Sequence, residues 1–186
     1  MPTVRDIVRK TTDFFTEKGT GSARLDSELL IASALGWERL QVFLKFDYPL
    51  TEDELEKCRE LVRRRTKGEP VAYILGEKGF YNHSFKVGPA VLIPRPETEM
   101  LVDAAIVHEG RRILDLGCGS GCIGLSVLRE WVDAGRENVS LDLVDLSEEA
   151  MAITRENAER LGVSDRCAFH VGDAGGAFCA ETSAGF

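Results

Sequence analysis

The run Ile113-Leu114-Asp115-Leu116-Gly117-Cys118-Gly119-Ser120-Gly121-Cys122-Ile123-Gly124 constrains this chain more than any other segment. Its first four residues read as a short apolar strand. Glycines at 117, 119 and 121 follow, where the backbone must turn sharply and a ligand can approach it closely. A helix over about 120–131 comes next, and its free amide groups point at the same space. Val139 to Val144 then reads as a second strand, 147–161 as a second helix stopped by Gly162, and Cys167 to Val171 as a third strand. Repeated β-α-β of this kind folds as a parallel sheet wrapped in helices.

The ends of those strands carry the chemistry. Asp145 lies 24 positions beyond Gly121, at the end of the second strand. An acid there can hold both hydroxyls of a ribose, which points to an adenosine-containing cofactor. Gly119, Gly121 and Gly124 also satisfy the G-x-G-x-x-G dinucleotide pattern. Asp115 separates the two readings. A dinucleotide places a pyrophosphate over this loop, which a carboxylate repels. S-adenosyl-L-methionine instead presents a sulfonium and an α-ammonium group, which a carboxylate attracts. The acid therefore favours the methyl donor over a nicotinamide cofactor, with a ligand-free glycine turn as the plain alternative. Asp173, in Gly172-Asp173-Ala174, ends the third strand and either lies beside an adenine or caps the following turn.

Upstream the period changes. Val4, Ile7, Val8, Thr11 and Phe15 recur on one helical face, and Gly19 and Gly21 end that segment. Ser22 is placed to cap a second helix with Leu25, Leu29, Leu30 and Ala34 as its apolar positions. Gly36 breaks it, and a short third helix over 37–44 follows. Thr51 with Glu54 forms a capping box for a fourth helix, whose stripe is Leu55, Cys58, Leu61 and Val62 and which Gly68 and Pro70 end. Residues 1–70 thus read as a helical bundle that holds a partner or shapes a substrate groove. Val71, Tyr73 and Leu75, then Phe80, Phe85, Val87, Val91 and Ile93, suggest short strands between Gly76, Gly79 and Gly88, so 71–93 reads as a hairpin linker. Residues 94–186 form the α/β part. They open with a helix that has Pro96 in its first turn, Glu97 and Glu99 at its positive end, and Met100, Leu101, Ala104 and Ala105 as its apolar face.

Charge and composition narrow the partners. A net charge of -8 argues against sequence-independent nucleic-acid binding. The basic cluster Arg63, Arg64, Arg65 and Lys67 reads as a solvated helix end. Five cysteines and three unspaced histidines (His83, His108, His170) give no expectation of a disulfide framework or a metal site. No apolar run approaches the roughly 20 residues of a membrane span. The charged amphipathic N-terminus lacks the core of a signal peptide. A cytoplasmic protein without a membrane partner is expected.

Several segments together resemble one family. Gly68-Glu69-Pro70-Val71-Ala72-Tyr73-Ile74-Leu75-Gly76, then Phe85 and Val87, then Leu92-Ile93-Pro94-Arg95-Pro96-Glu97-Thr98-Glu99, then Asp115 to Gly121 resemble the peptide chain release factor N(5)-glutamine methyltransferases of the PrmC/HemK type. Ala23-Arg24-Leu25-Asp26 and Leu29-Leu30 in the helical start are similar to theirs as well. The Leu-Ile-Pro-Arg-Pro-Glu-Thr-Glu segment is the more specific signal, since all such methyltransferases share the glycine loop.

The resemblance implies an N-terminal helical bundle plus a Rossmann-like S-adenosylmethionine-dependent methyltransferase domain, of which this sequence holds the first three parallel strands. It implies methyl transfer to the side-chain amide of a glutamine in a release factor, the protein partner. Carried over by position, Gly117, Cys118, Gly119, Ser120 and Gly121 contact the methionine part of the cofactor, Asp145 holds the ribose, and Asp173 with Ala174 flanks the adenine. Arg95, Pro96, Glu97 and Thr98 line the cofactor or substrate side.

The family also places Asn-Pro-Pro-Tyr at the end of a fourth strand, and these 186 residues contain no such motif. There an Asn side chain and a Pro carbonyl orient the acceptor amide, whose nitrogen is a poor nucleophile, so positioning supplies most of the catalysis. No catalytic residue is assigned here, and the chain by itself is expected to be inactive, poorly stable and a weak cofactor binder. The alternatives are a related methyltransferase acting on a nucleic-acid base or small molecule, and a catalytically silent module that binds a release factor.

Overall fold

The computed structural model describes residues 1–173, which divide into two compact units, residues 1–75 and the part of the chain from Gly76 onward. The first unit is helical: α1 (Val4–Glu17), α2 (Ala23–Leu35), α3 (Arg39–Leu44), α4 (Glu52–Thr66) and α5 (Val71–Leu75). Capping boxes open α1 at Thr3/Asp6 and α4 at Thr51/Glu54, the second as the sequence indicates. Ser22 precedes α2 but makes no capping bond to the backbone; its hydroxyl donates to Asp26 Oδ1 instead (2.8 Å). Gly36 ends α2 at φ 67°, a left-handed turn that suits glycine. Val4, Ile31, Val42, Leu50, Leu55 and Cys58 form one buried cluster, and Phe15, Ala23, Leu30 and Ile74 a second.

The expectation of a strand at Val71, Tyr73 and Leu75 is wrong: these residues form α5. Tyr73 N–H and Ile74 N–H both donate to Pro70 O, so the proline opens a helical turn, and Ile74 gains its burial beside Phe15 and Leu30. Tertiary packing overrides a β-branched pattern in so short a segment. The basic cluster ending α4 is engaged within the unit. Arg63 pairs with Glu60, Arg64 with Glu69, and Arg65 with Asp26.

The second unit begins with an antiparallel hairpin, β1 (Glu77–Phe80) and β2 (His83–Lys86), which registers Phe80 against His83. Val87, Val91 and Ile93 were expected in strands but lie outside any. A 3-10 turn over Pro96–Thr98 leads into α6 (Glu99–Ile106). Its inward face differs from the expected one. Val102 is buried, whereas Met100 and Leu101 are 72% and 57% exposed.

Then β3 (Arg112–Leu116), α7 (Cys122–Asp133), β4 (Ser140–Asp145), α8 (Glu148–Arg160) and β5 (Cys167–Val171) alternate. The three strands pair in parallel in the order β3-β4-β5, with Asp115 opposite Leu143 and Leu143 opposite Phe169. Leu125, Leu128 and Trp131 of α7, Met151 and Ala158 of α8 and Val102 of α6 pack with Leu141 and Leu143 of β4 in one core. No helix among the described residues is long and apolar enough to cross a membrane.

Candidate functional site

The glycine turn is anchored across the sheet before α7 begins. Gly117 N–H and Cys118 N–H both donate to Val144 O (2.8 and 3.0 Å), so the chain leaving β3 is tied to the end of β4. Gly117 and Gly119 sit at φ +72° and +57° with nothing within 4 Å of an added Cβ. Backbone conformation demands glycine at these two positions, and the space beside them stays open. Gly124 is glycine for a different reason. A Cβ there would lie 2.9 Å from both Asp115 Oδ2 and Leu141 Cδ1, so its absence lets α7 lie close against the strands.

Two carboxylates are threaded into this turn. Asp115 Oδ2 accepts from Gly124 N–H (3.0 Å), in the first turn of α7. Asp145 accepts from Gly119 N–H on Oδ2 (2.8 Å) and from Ser147 N–H on Oδ1 (3.0 Å). Burial pushes the Asp115 carboxyl above the usual carboxylate range; the Gly124 N–H opposes this shift, and the charge of Asp145 adds to it. The turn therefore holds a concentration of negative charge before any ligand arrives.

A crevice of about 130 Å³ lies alongside. Leu92, Ile93, Pro94, Arg95 and Thr98 form one wall, and Gly117 to Ser120 with Cys122 and Ile123 the other. Two segments whose near ends, Thr98 and Gly117, are 19 positions apart in sequence thus meet, and both were singled out from sequence. Pro96 and Glu97 belong to the same short turn as Thr98 but do not line the crevice. Burial pushes the Cys118 and Cys122 thiols up to about 12 and about 11, so both are neutral.

Behind the loop stand two residues that sequence reading missed. Thr154 Oγ1 donates to Gly119 O (2.7 Å), and Asn157 Nδ2 donates to Ser120 O (2.9 Å). Both are buried on α8. The signal that could have found them is a pair of polar residues three apart within the apolar stripe Ala150, Met151, Ala158.

A family model described as PrmC N-terminal domain matches residues 6–76, and one described as methyltransferase domain matches residues 107–182. Release factor glutamine methyltransferase from Geobacter sulfurreducens is 40% identical over 162 residues, covering 86% of this chain and 55% of its own length. That from Chlorobaculum tepidum is 38% identical over 191 residues, covering 98% and 63%. That from Rhodopirellula baltica is 41% identical over 172 residues, covering 88% and 56%.

Along most of its length this chain is similar to release factor glutamine methyltransferases, with a match to a PrmC N-terminal domain followed by one to a methyltransferase domain. It spans 55% to 63% of the length of these three relatives. Of the residues that family resemblance singles out, Asp145 and Asp173 are neighbours across β4 and β5. Val171 pairs with Asp145, and Gly172 N–H donates to Asp145 O (2.9 Å), which puts Asp173 at the same end of the sheet. Ala174 lies outside the described residues.

Proposed function

We propose that this chain binds S-adenosyl-L-methionine at the Gly117–Gly121 turn and serves methyl transfer to the side-chain amide nitrogen of a glutamine in a peptide chain release factor. The donor supplies an electrophilic methyl group on a positively charged sulfur. The observation that carries the reading is the state of the loop amides. Gly124 N–H, in the first turn of α7, is already given to Asp115, and Gly119 N–H to Asp145. A pyrophosphate placed here would meet two carboxylates where a dinucleotide site offers open amides. A sulfonium with an α-ammonium group meets the charge it requires.

The residues present fit that donor. The open space beside Gly117 and Gly119 leaves room for the methionine part. Asp145 uses one lone pair on each oxygen for backbone N–H groups, and the remaining pairs can accept from two ribose hydroxyls. In this reading Asp173, at the same sheet end, flanks the adenine. Arg95 and Thr98 bound the far side of the crevice. In this reading residues 1–70 hold the release factor, 71–93 link the two parts, 94–186 bind the donor, and the protein works in the cytoplasm beside the translation machinery.

Titration calorimetry with S-adenosylhomocysteine and, separately, NAD tests the cofactor. Incubation with methyl-labelled donor and purified release factor, followed by peptide mass spectrometry, tests the acceptor. The expected result is binding of the first ligand alone, and label on a glutamine when the protein assayed carries the Asn-Pro-Pro-Tyr segment that these residues lack. Preferential binding of NAD, or label on nucleic acid with none on release factor, would refute the assignment.

A further inference from the structure

Thr154 and Asn157 are sealed from solvent on the inward face of α8. Buried polar side chains destabilise a fold unless they are bonded, and the bonds these two make share one target. The Thr154 hydroxyl lies 2.7 Å from Gly119 O and 3.1 Å from Ala150 O. Asn157 makes three bonds: its Nδ2 donates to Ser120 O (2.9 Å) and Lys86 O (3.0 Å), and its Oδ1 accepts from Lys86 N–H (2.7 Å). Both amide hydrogens go to carbonyls, so the side chain cannot flip without losing all three. Two successive carbonyls of the glycine turn are thus pinned to one helix.

The consequence falls on the other side of the turn. No peptide bond among the described residues is cis. The Gly119 carbonyl and the Ser120 N–H belong to one planar trans unit and point in opposite directions. Holding Gly119 O against α8 turns Ser120 N–H away from α8. Among the described residues that N–H bonds to no other group, and both residues line the crevice. Asn157 also ties the turn to Lys86, which ends β2 six positions before the second wall begins at Leu92.

We propose that Thr154 and Asn157 are positioning residues of the cofactor site: they hold Ser120 N–H ready to donate to a carboxylate at the amino-acid end of the methyl donor, and Asn157 ties the turn to the end of β2. The assignment rests on the cofactor reading above and extends it to residues that touch no ligand.

The test compares S-adenosylhomocysteine with 5′-methylthioadenosine, which keeps the adenosine thioether but lacks the amino-acid end. Thr154→Val, near-isosteric and without the hydroxyl, should weaken binding of the first roughly five- to tenfold, the worth of about one hydrogen bond. It should leave binding of the second unchanged. Thr154→Ser, which keeps the hydroxyl, should restore the affinity. In the ligand-free chain, amide hydrogen exchange over 117–121 should accelerate in Thr154→Val and Asn157→Asp, while protection in the middle of α7 is retained.

Equal losses for both nucleosides would overturn the positioning role, as would an unaffected affinity, a loss that persists in Thr154→Ser, or unaltered exchange in the turn. Wild-type protein that binds neither nucleoside would overturn the cofactor reading itself, and this proposal with it.

Discussion

Gly124→Ala tests how tightly α7 lies against the sheet. The added methyl would sit 2.9 Å from Asp115 Oδ2, 2.9 Å from Leu141 Cδ1 and 3.1 Å from Asp115 Cβ. Ordinary contact between such atoms begins at about 3.4 Å, so something must move by about half an ångström. Asp115 has little freedom to do so, since its carboxylate is held by the Gly124 amide itself (3.0 Å), and Leu141 is fully buried. Overpacking of this kind costs about 1–3 kcal/mol. Alanine's better helix propensity returns up to ~1 kcal/mol. The net loss is about 1–2 kcal/mol, which lowers the melting midpoint by roughly 2–8 °C in a chain of this size.

Thermal unfolding followed by circular dichroism measures it, with Gly21→Ala as control. At Gly21 the backbone is not left-handed and no atom lies within 4 Å of the added methyl, so that variant should melt close to wild type. A double-mutant cycle sharpens the test. In an Asp115→Ala background the closest oxygen is gone, and the Gly124→Ala penalty should shrink by about 1 kcal/mol. A Gly124→Ala chain that melts at or above wild type, or a cycle with no coupling, would refute the packing argument.

The remaining predictions concern charge and thiols. In the proposed site a cationic donor favours ionised Asp115, whose carboxyl burial has raised. Affinity for S-adenosylmethionine, measured by calorimetry from neutral pH downward, should therefore fall as pH drops through that raised value, and the fall should be absent in Asp115→Asn. The same shift has a sign for stability. A carboxyl whose folded pKa is raised contributes favourably below its unfolded value, and that contribution is lost as pH rises through the folded one. Asp115→Asn should match wild type in acid and melt higher near neutrality. In the helical unit, Glu28 is almost fully buried and is held by Arg24 (2.9 Å) and Arg39 (2.7 Å). Arg39→Ala leaves that carboxylate half-paired and should cost about 2–3 kcal/mol in urea unfolding. Glu28→Gln should cost less, because the guanidiniums it releases are at least half exposed. Cys118 and Cys122, with thiols pushed up to about 12 and about 11, should resist iodoacetamide in the native chain at mildly alkaline pH and react once it is unfolded.

What the sequence made legible was what local chemistry encodes. A strand, a turn that requires glycine and a helix start are contiguous, so Asp115 to Gly124 could be read with no knowledge of the rest. The alternation of period from 112 onward placed all three parallel strands within about one residue of where they lie. The errors fall where local and tertiary preferences compete. Val71, Tyr73 and Leu75 carry a strand-like alternation, yet Pro70 and the pocket that receives Ile74 make them helical. On α6 the run Met100, Leu101, Val102 offers three apolar residues in a row, and periodicity alone could not say that only Val102 turns inward.

The site repeats this division. Glycines and acids announce themselves, because few other residues tolerate a positive-φ turn and few strand ends use an acid without a purpose. Thr154 and Asn157 gave no such notice, since a threonine or asparagine in a helix reads as surface until its neighbours are known. Their partners at Gly119, Ser120 and Lys86 lie 35, 37 and 71 positions away. The glycine turn is permissive by composition: residues at positive φ without side chains can take many conformations, and freedom of that kind costs entropy when a ligand fixes it. A turn that must present particular amides therefore needs its order supplied from outside itself. In this fold β4 holds the amides of Gly117, Cys118 and Gly119, and one buried face of α8 holds the carbonyls of Gly119 and Ser120.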